Sequence, residues 1–223
     1  MRINDQVLSQ QRTSSVVVNR VLRNTYILLS MTLLFCAGVA ALSVALNWPH
    51  PGLIITLVGY FGLLFLTSAM RNSGLGIVCV FALTGFMGFT LGPIISHYLT
   101  VIPNGDQIVM TAFGGTGLIF LGLSAYALTT RKNFAFLGGM LFAGILAAFI
   151  MSLAAIFFNL PMLSIAVSGM FIILMSGLIL YQTSAIVHGG ETNYIMATVT
   201  LFISIYNLFL SLIQILGIFG GRE

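Results

Sequence analysis

Few side chains in this sequence could do chemistry. The 223 residues hold three histidines and four carboxylates, Asp5, Asp106, Glu191 and Glu223. His50, His97 and His188 fall in three separate segments, without the close spacing by which histidines share a metal ion. No metal site and no cofactor is therefore expected. The tetrapeptide GLSA, Gly122 to Ala125, superficially resembles the glycine-x-serine element of intramembrane serine proteases. Such a serine needs a base within hydrogen-bond reach, and no histidine occurs in any later apolar run. No GxxxxGK[ST] loop is present to cradle phosphates, which argues against an ATP-driven pump. No catalytic residue is assigned, and the chain is not read as an enzyme. Polar groups do collect in one stretch, LYQTSAIVHGGETNYI, Leu180 to Ile195, with a glycine pair, His188 and Glu191. Gln182 faces them from the end of the preceding apolar run.

The elements that position these residues follow from composition. The chain is 59% hydrophobic and 5% charged, with a mean hydropathy of +1.10. A soluble domain carries about a quarter charged residues, so the natural solvent here is lipid. Net charge is +4, but the basic residues are too scattered for a nucleic-acid face. Cys36 and Cys79 lie inside apolar runs and read as small buried hydrophobes. The first two dozen or so residues are polar, and no cleavable signal peptide is visible.

Seven runs approach bilayer length: about Tyr26–Leu46, Leu53–Ala69, Leu75–Tyr98, Ile108–Leu128, Phe134–Phe157, Met162–Gln182 and Ile195–Gly217. None contains Asp, Glu, Lys or Arg. Between them stand short turn-forming breaks such as NWPHPG, VIPNGD and HGGETN. These run lengths exclude a transmembrane β-barrel. The expected fold is an all-α membrane protein, a seven-transmembrane-helix bundle. Residues 1–25 form a flexible cytoplasmic tail and the start of the first helix, 26–217 the bundle, and 218–223 a short external C-terminus. Arg2, Arg12, Arg20, Arg23, Arg71, Arg131 and Lys132 fall on one side if the spans alternate, and only Arg222 on the other. The excess of basic residues on the cytoplasmic side then places the N-terminus, and HGGETN, in the cytoplasm.

Two spans carry further patterns. In the last, Thr200, Ser204, Asn207, Ser211 and Gln214 are spaced by three and four, which makes one helical stripe. Such a stripe must face protein or a wet cavity, so this helix belongs inside the bundle. It either bonds neighbouring helices or lines a solute path; the stripe alone favours the former. In the third span, Gly85, Gly88 and Gly92 allow close helix approach, and Pro93 removes a backbone donor and predicts a kink. In the loop, the glycines suit a positive φ after one helix, and Glu191 or Thr192 can cap the next.

Five segments together carry a resemblance: VLRNTYILLSMTLLF, PGLIITLVGYFGLLFLT, TGFMGFTLGPI, SAYALTTRKNFAFLGGML and HGGETNYIMATVTLFISIYNLFLSLIQILG. In this order, from about Val21 to the end, they are similar to a YccA-type member of the Bax inhibitor-1 family. The resemblance implies seven helices with the last at the centre. Some members are proton-sensitive calcium leak channels with paired carboxylates on the sixth and seventh helices. Those positions match Gln182 and Ser204, neither ionisable, which argues against pH-gated leakage while keeping calcium as an alternative partner. The YccA-type branch implies instead an inner-membrane substrate and modulator of FtsH, the membrane-anchored ATP-dependent protease. Its flexible N-terminal tail, here including Asp5 to Arg12, would be the handle the protease engages.

Overall fold

The computed structural model describes residues 2–220, with side chains described from Val16 onward. The described residues form seven α-helices and no strand. They are α1 (Arg2–Ala45), α2 (Leu53–Ala69), α3 (Leu75–Val101), α4 (Gly105–Thr130), α5 (Gly138–Phe157), α6 (Pro161–Val187) and α7 (Tyr194–Gly220). Six are long and apolar enough to cross a membrane. The exception is α2, whose 17 residues rise about 25 Å against a hydrocarbon layer of about 30 Å.

Boundaries shift where turn chemistry differs from apolar content. The segment Phe134–Leu137, read as the start of the fifth span, is a connection with a 3-10 turn at Ala135–Leu137. The segment read as a polar tail is assigned as the start of α1, which begins at Arg2. The side chains of Asp5 and Arg12 lie outside the described residues, as does Glu223. Asn47, Asn104 and Asn159 take positive φ in the α1–α2, α3–α4 and α5–α6 connections, a conformation asparagine tolerates better than most side chains. Pro161 opens α6, where its missing N–H costs nothing.

The main apolar core joins α1, α3, α6 and α7 through residues such as Leu29, Leu83, Ile179 and Phe202. A second cluster, with Ala40, Leu91, Ala112 and Phe209, adds α4. The outer surface is apolar as well: Leu34, Ile54, Phe65, Phe142 and Ile173 are each more than 70% exposed. Water would not tolerate such a surface on a monomer, whereas acyl chains would. α7 contributes twelve buried residues and packs against α1, α3, α4 and α6. α2 and α5 contribute one and three, and therefore show most of their surface outward.

Candidate functional site

The α6–α7 hairpin gathers most of the residues singled out by sequence. α6 runs on to Val187, so Gln182 lies more than a turn inside the helix. The helix then closes in a Schellman turn: Gly189 at φ +72 donates to the Ile186 carbonyl (3.1 Å), and Gly190 to that of Ala185 (2.8 Å). His188 turns back on the same helix end, its Nδ1 2.9 Å from the Ser184 carbonyl oxygen. That distance makes Nδ1 the protonated nitrogen.

The cap of α7 is Asn193, not Glu191 or Thr192. Asn193 Oδ1 accepts the N–H groups of Ile195 and Met196 at 3.0 and 3.1 Å. A short side chain reaches those donors only from the position directly before the helix. Glu191 acts one step earlier, accepting the Asn193 N–H at 2.8 Å. The amide nitrogen of Asn193 also donates to the Arg71 carbonyl (2.9 Å) and to Asn72 Oδ1 (3.0 Å). Ser184 Oγ donates to the Lys132 carbonyl (2.9 Å) and accepts the Phe134 N–H (3.0 Å). The α2–α3, α4–α5 and α6–α7 connections are thus tied together at one end of the bundle. Arg71, Arg131 and Lys132 are exposed there.

The polar residues of α7 divide by what they reach. Ser204 Oγ donates to the Thr200 carbonyl (2.7 Å), and Asn207 Nδ2 to that of Ile203 (2.9 Å), both within the helix. Ser211 is buried. Gln214 crosses to α6, where its Nε2 donates to Ser164 Oγ (2.5 Å) and its Oε1 accepts from Ser168 Oγ (2.6 Å). Sequence reasoning missed two other crossings. Thr198 Oγ1 lies 3.3 Å from the Thr25 carbonyl oxygen of α1, and Tyr206 OH donates to the Met87 carbonyl of α3 (3.3 Å). A lone threonine in an apolar run gives no signal, because its hydroxyl can as well return to its own helix, and a lone tyrosine gives none because its spacing does not say which neighbour its hydroxyl reaches.

In α3, Gly85, Gly88 and Gly92 all face α1. A methyl group on Gly88 would stand 2.5 Å from the Cys36 carbonyl oxygen, one on Gly85 2.8 Å from the Phe35 ring, and one on Gly92 would collide with Ser43. Pro93 follows inside the same helix. Ser43 Oγ donates to the Phe89 carbonyl across this seam at 3.1 Å. The two remaining histidines stand apart. His50 Nδ1 accepts the Gly52 N–H (3.0 Å), and His97 packs edge-on against Tyr98. Among the described residues no group of three His, Cys, Asp or Glu side chains could hold a metal ion.

The family model described as inhibitor of apoptosis-promoting Bax1 matches residues 18–221, which include all the residues just placed from α2 to α7. The chain belongs to this family. It is 54% identical over 215 residues to the Escherichia coli K12 protein named "Modulator of FtsH protease YccA", covering 96% of this chain and 97% of the relative. It is 50% identical over 222 residues to an uncharacterized protein of Pseudomonas aeruginosa, covering 100% of this chain and 97% of the relative. A membrane protein of Vibrio cholerae is 42% identical over 217 residues, with 95% and 97% covered.

In this member of the Bax1-inhibitor family, Gln182 and Ser204 are both buried. Ser204 spends its hydroxyl proton on its own helix, and Gln182 Nε2 has no hydrogen-bond partner among the described residues. The contacts of α1 set the levels. Tyr26 OH lies 3.5 Å from Thr183 Oγ1, and the Thr25 carbonyl oxygen 3.3 Å from Thr198 Oγ1. Gln182 thus lies near the level of Thr198, and Ser204 comes six residues later, about 9 Å along the axis. Neither side chain can change charge with pH.

Proposed function

We propose that this chain is a multi-pass protein of the bacterial inner membrane that binds the protease FtsH and modulates its proteolysis, without chemistry of its own. The observation that carries this reading is the 54% identity, over nearly all of both chains, to the protein named a modulator of that protease. A second E. coli relative, at the same identity, is named an inner membrane protein.

In this reading the N-terminus is cytoplasmic and the C-terminus external. Exposed Arg20, Arg23, Arg71, Arg131 and Lys132, and the hydrogen bonds that join three connections at one end, support it. α7 is the central helix, supported by its burial and its contacts with four neighbours. Its polar stripe, Thr200 to Gln214, serves interhelical bonding, for which the Gln214 bonds are the support. Gly85, Gly88, Gly92 and Pro93 serve packing against α1. The N-terminal tail that precedes the packed part of α1, with Asp5 to Arg12 in it, acts as the segment by which the protease takes hold.

Co-purification from detergent-solubilised membranes, with tagged FtsH as bait, tests the partner. The full chain is expected in the eluate. Its absence, while known FtsH partners are recovered, refutes the reading. Deleting residues 5–12 should lengthen the half-life of the chain in cells while preserving co-purification. An unaltered half-life would place the handle elsewhere. A reporter fused after Glu223 should be active only outside the cytoplasm.

A further inference from the structure

A cavity of about 550 Å³ lies among α2, α3, α5, α6 and α7. It exists because the two outer helices do not close on each other. α2 packs on α3, and α5 on α6. Between α2 and α5, Phe61 and Phe149 meet edge to face, with centroids 5.8 Å apart. Both rings line the cavity. Three lining residues also face outward, Phe142 at 73% exposed, Leu146 at 50% and Phe61 at 47%. In a helix that crosses a membrane, an outward apolar face meets acyl chains, so the cavity opens sideways into the bilayer.

Among the described residues, no Asp, Glu, Lys or Arg lines its inner wall. Several of its donors are already engaged: Thr90 Oγ1 donates to the Met87 carbonyl (2.9 Å), Tyr206 OH to the same carbonyl, and Asn207 Nδ2 to that of Ile203. The lining is predominantly apolar. The cavity has the size and lining of a ligand pocket. A partner helix is a cylinder about 10 Å across with polar backbone groups at its ends, whereas a hydrocarbon chain is slender and wholly apolar, as most of the lining is.

The cavity also reaches the α1–α2 connection, where His50 lines it, and the first turn of α2, where Thr56 does. His50 Nδ1 accepts the Gly52 N–H, which puts the ring proton on Nε2 and makes that nitrogen a donor. We propose that the cavity binds one acyl chain of a phospholipid, which enters between α2 and α5, with the headgroup phosphate held at His50. The neutral hydrocarbon wall matches the chain, and the imidazole donor at the membrane surface matches the phosphate.

The full-length chain, purified in mild detergent, would be examined by native mass spectrometry. One retained phospholipid per chain is expected. Leu178→Phe combined with Ile203→Phe fills the cavity and should remove it. Leu146→Phe narrows the half-exposed opening and should lower retention even if the double variant fails to fold. His50→Ala should lower retention about fivefold, as loss of one hydrogen bond does. A second readout is built in, because Trp48 is the sole tryptophan. Its ring lies 5.5 Å from Phe89, which is 6.4 Å from the cavity residue Phe86. In vesicles of chain-brominated phospholipid, Trp48 emission should be quenched more in the parent than in Leu146→Phe. No retained phospholipid in the parent, or equal retention and equal quenching in parent and Leu146→Phe, would overturn the proposal.

Discussion

The α1–α3 and α6–α7 seams join pairs of lipid-bathed helices by different means. Along α1–α3 the contact is made by what is missing. Three glycines bring backbones so near that a methyl group would strike Phe35, Cys36 or Ser43. Along α6–α7 the contact is made by side chains, above all by Gln214 between Ser164 and Ser168. Lipid offers no hydrophobic drive for helix association, because its tails are as apolar as leucine. Close packing and interhelical hydrogen bonds are what remain, and this bundle uses each in a different seam. The difference predicts how each seam fails. A packing seam fails when something is added, and a bonding seam when something is taken away.

The largest expected effect is at the packing seam. Gly88→Leu must displace the α1 backbone at Cys36, and overpacking of this kind costs about 1–3 kcal/mol. Gly62→Leu on α2 is the internal control, since nothing lies within 4 Å of an added Cβ there. Its effect should stay within about 0.5 kcal/mol. Reversible unfolding in mixed micelles measures both. Equal losses at the two glycines would show that the α1–α3 seam has no special closeness.

Next comes the start of α7. Asn193→Ala removes the helix cap and the tie to Arg71 and Asn72 in one substitution. Loss of a cap costs about 1 kcal/mol and as much as 2. Amide hydrogen exchange should rise at Ile195 and Met196, whose N–H groups lose their acceptor, and in the α2–α3 connection. Exchange confined to the α7 start would mean that the tie between loops carries no weight.

Gln214→Leu takes away two bonds of the α6–α7 seam. Interhelical hydrogen bonds in membranes average about 0.6 kcal/mol each, so a loss of about 1 kcal/mol is expected, smaller than at Gly88. A loss above that of Gly88→Leu would reverse the ranking of the two seams.

How much of this was legible in the sequence differs between the seams. Glycine spacing is visible as letters, and Gly85, Gly88 and Gly92 marked a close contact, although nothing named α1 as the partner. The polar stripe was equally visible, but among the described residues only Gln214 on it bonds to another helix, while Thr198 and Tyr206 off it also do. Hydroxyls and amides choose between their own backbone and a neighbour by fractions of a kcal/mol, a choice that spacing does not encode. The helices themselves were legible because bilayer-length apolar runs leave little alternative. Their ends were less so. Residues 134–137 are apolar enough to read as helix, yet the Ser184 hydroxyl holds Phe134 in a connection. Asn193 was missed as a cap because the pattern around it offered Glu191 and Thr192 as well. The cavity left no trace, since it depends on how far two outer helices stand apart.

The smallest effect is expected at the other glutamine of the same hairpin. Gln182 and Gln214 look alike in sequence, each a single amide near one end of the α6–α7 pair. Gln214 has both ends of its amide bonded, whereas Gln182 is 5% exposed with Nε2 unpartnered among the described residues. A buried amide nitrogen without a partner has already lost its water without recompense. Gln182→Leu removes that penalty, and the change from a planar amide to a branched chain of similar volume costs a comparable amount. The net change should lie within about 0.5 kcal/mol of zero. The position also matches one of the two the resemblance marks as ionisable in leak channels, so the same substitution tests function. Because neither Gln182 nor Ser204 binds a proton in the working pH range, Gln182→Leu should leave co-purification with FtsH unchanged. A loss of stability equal to that of Gln214→Leu would show that the Gln182 amide holds the bundle after all, and the contrast between the two glutamines would fall.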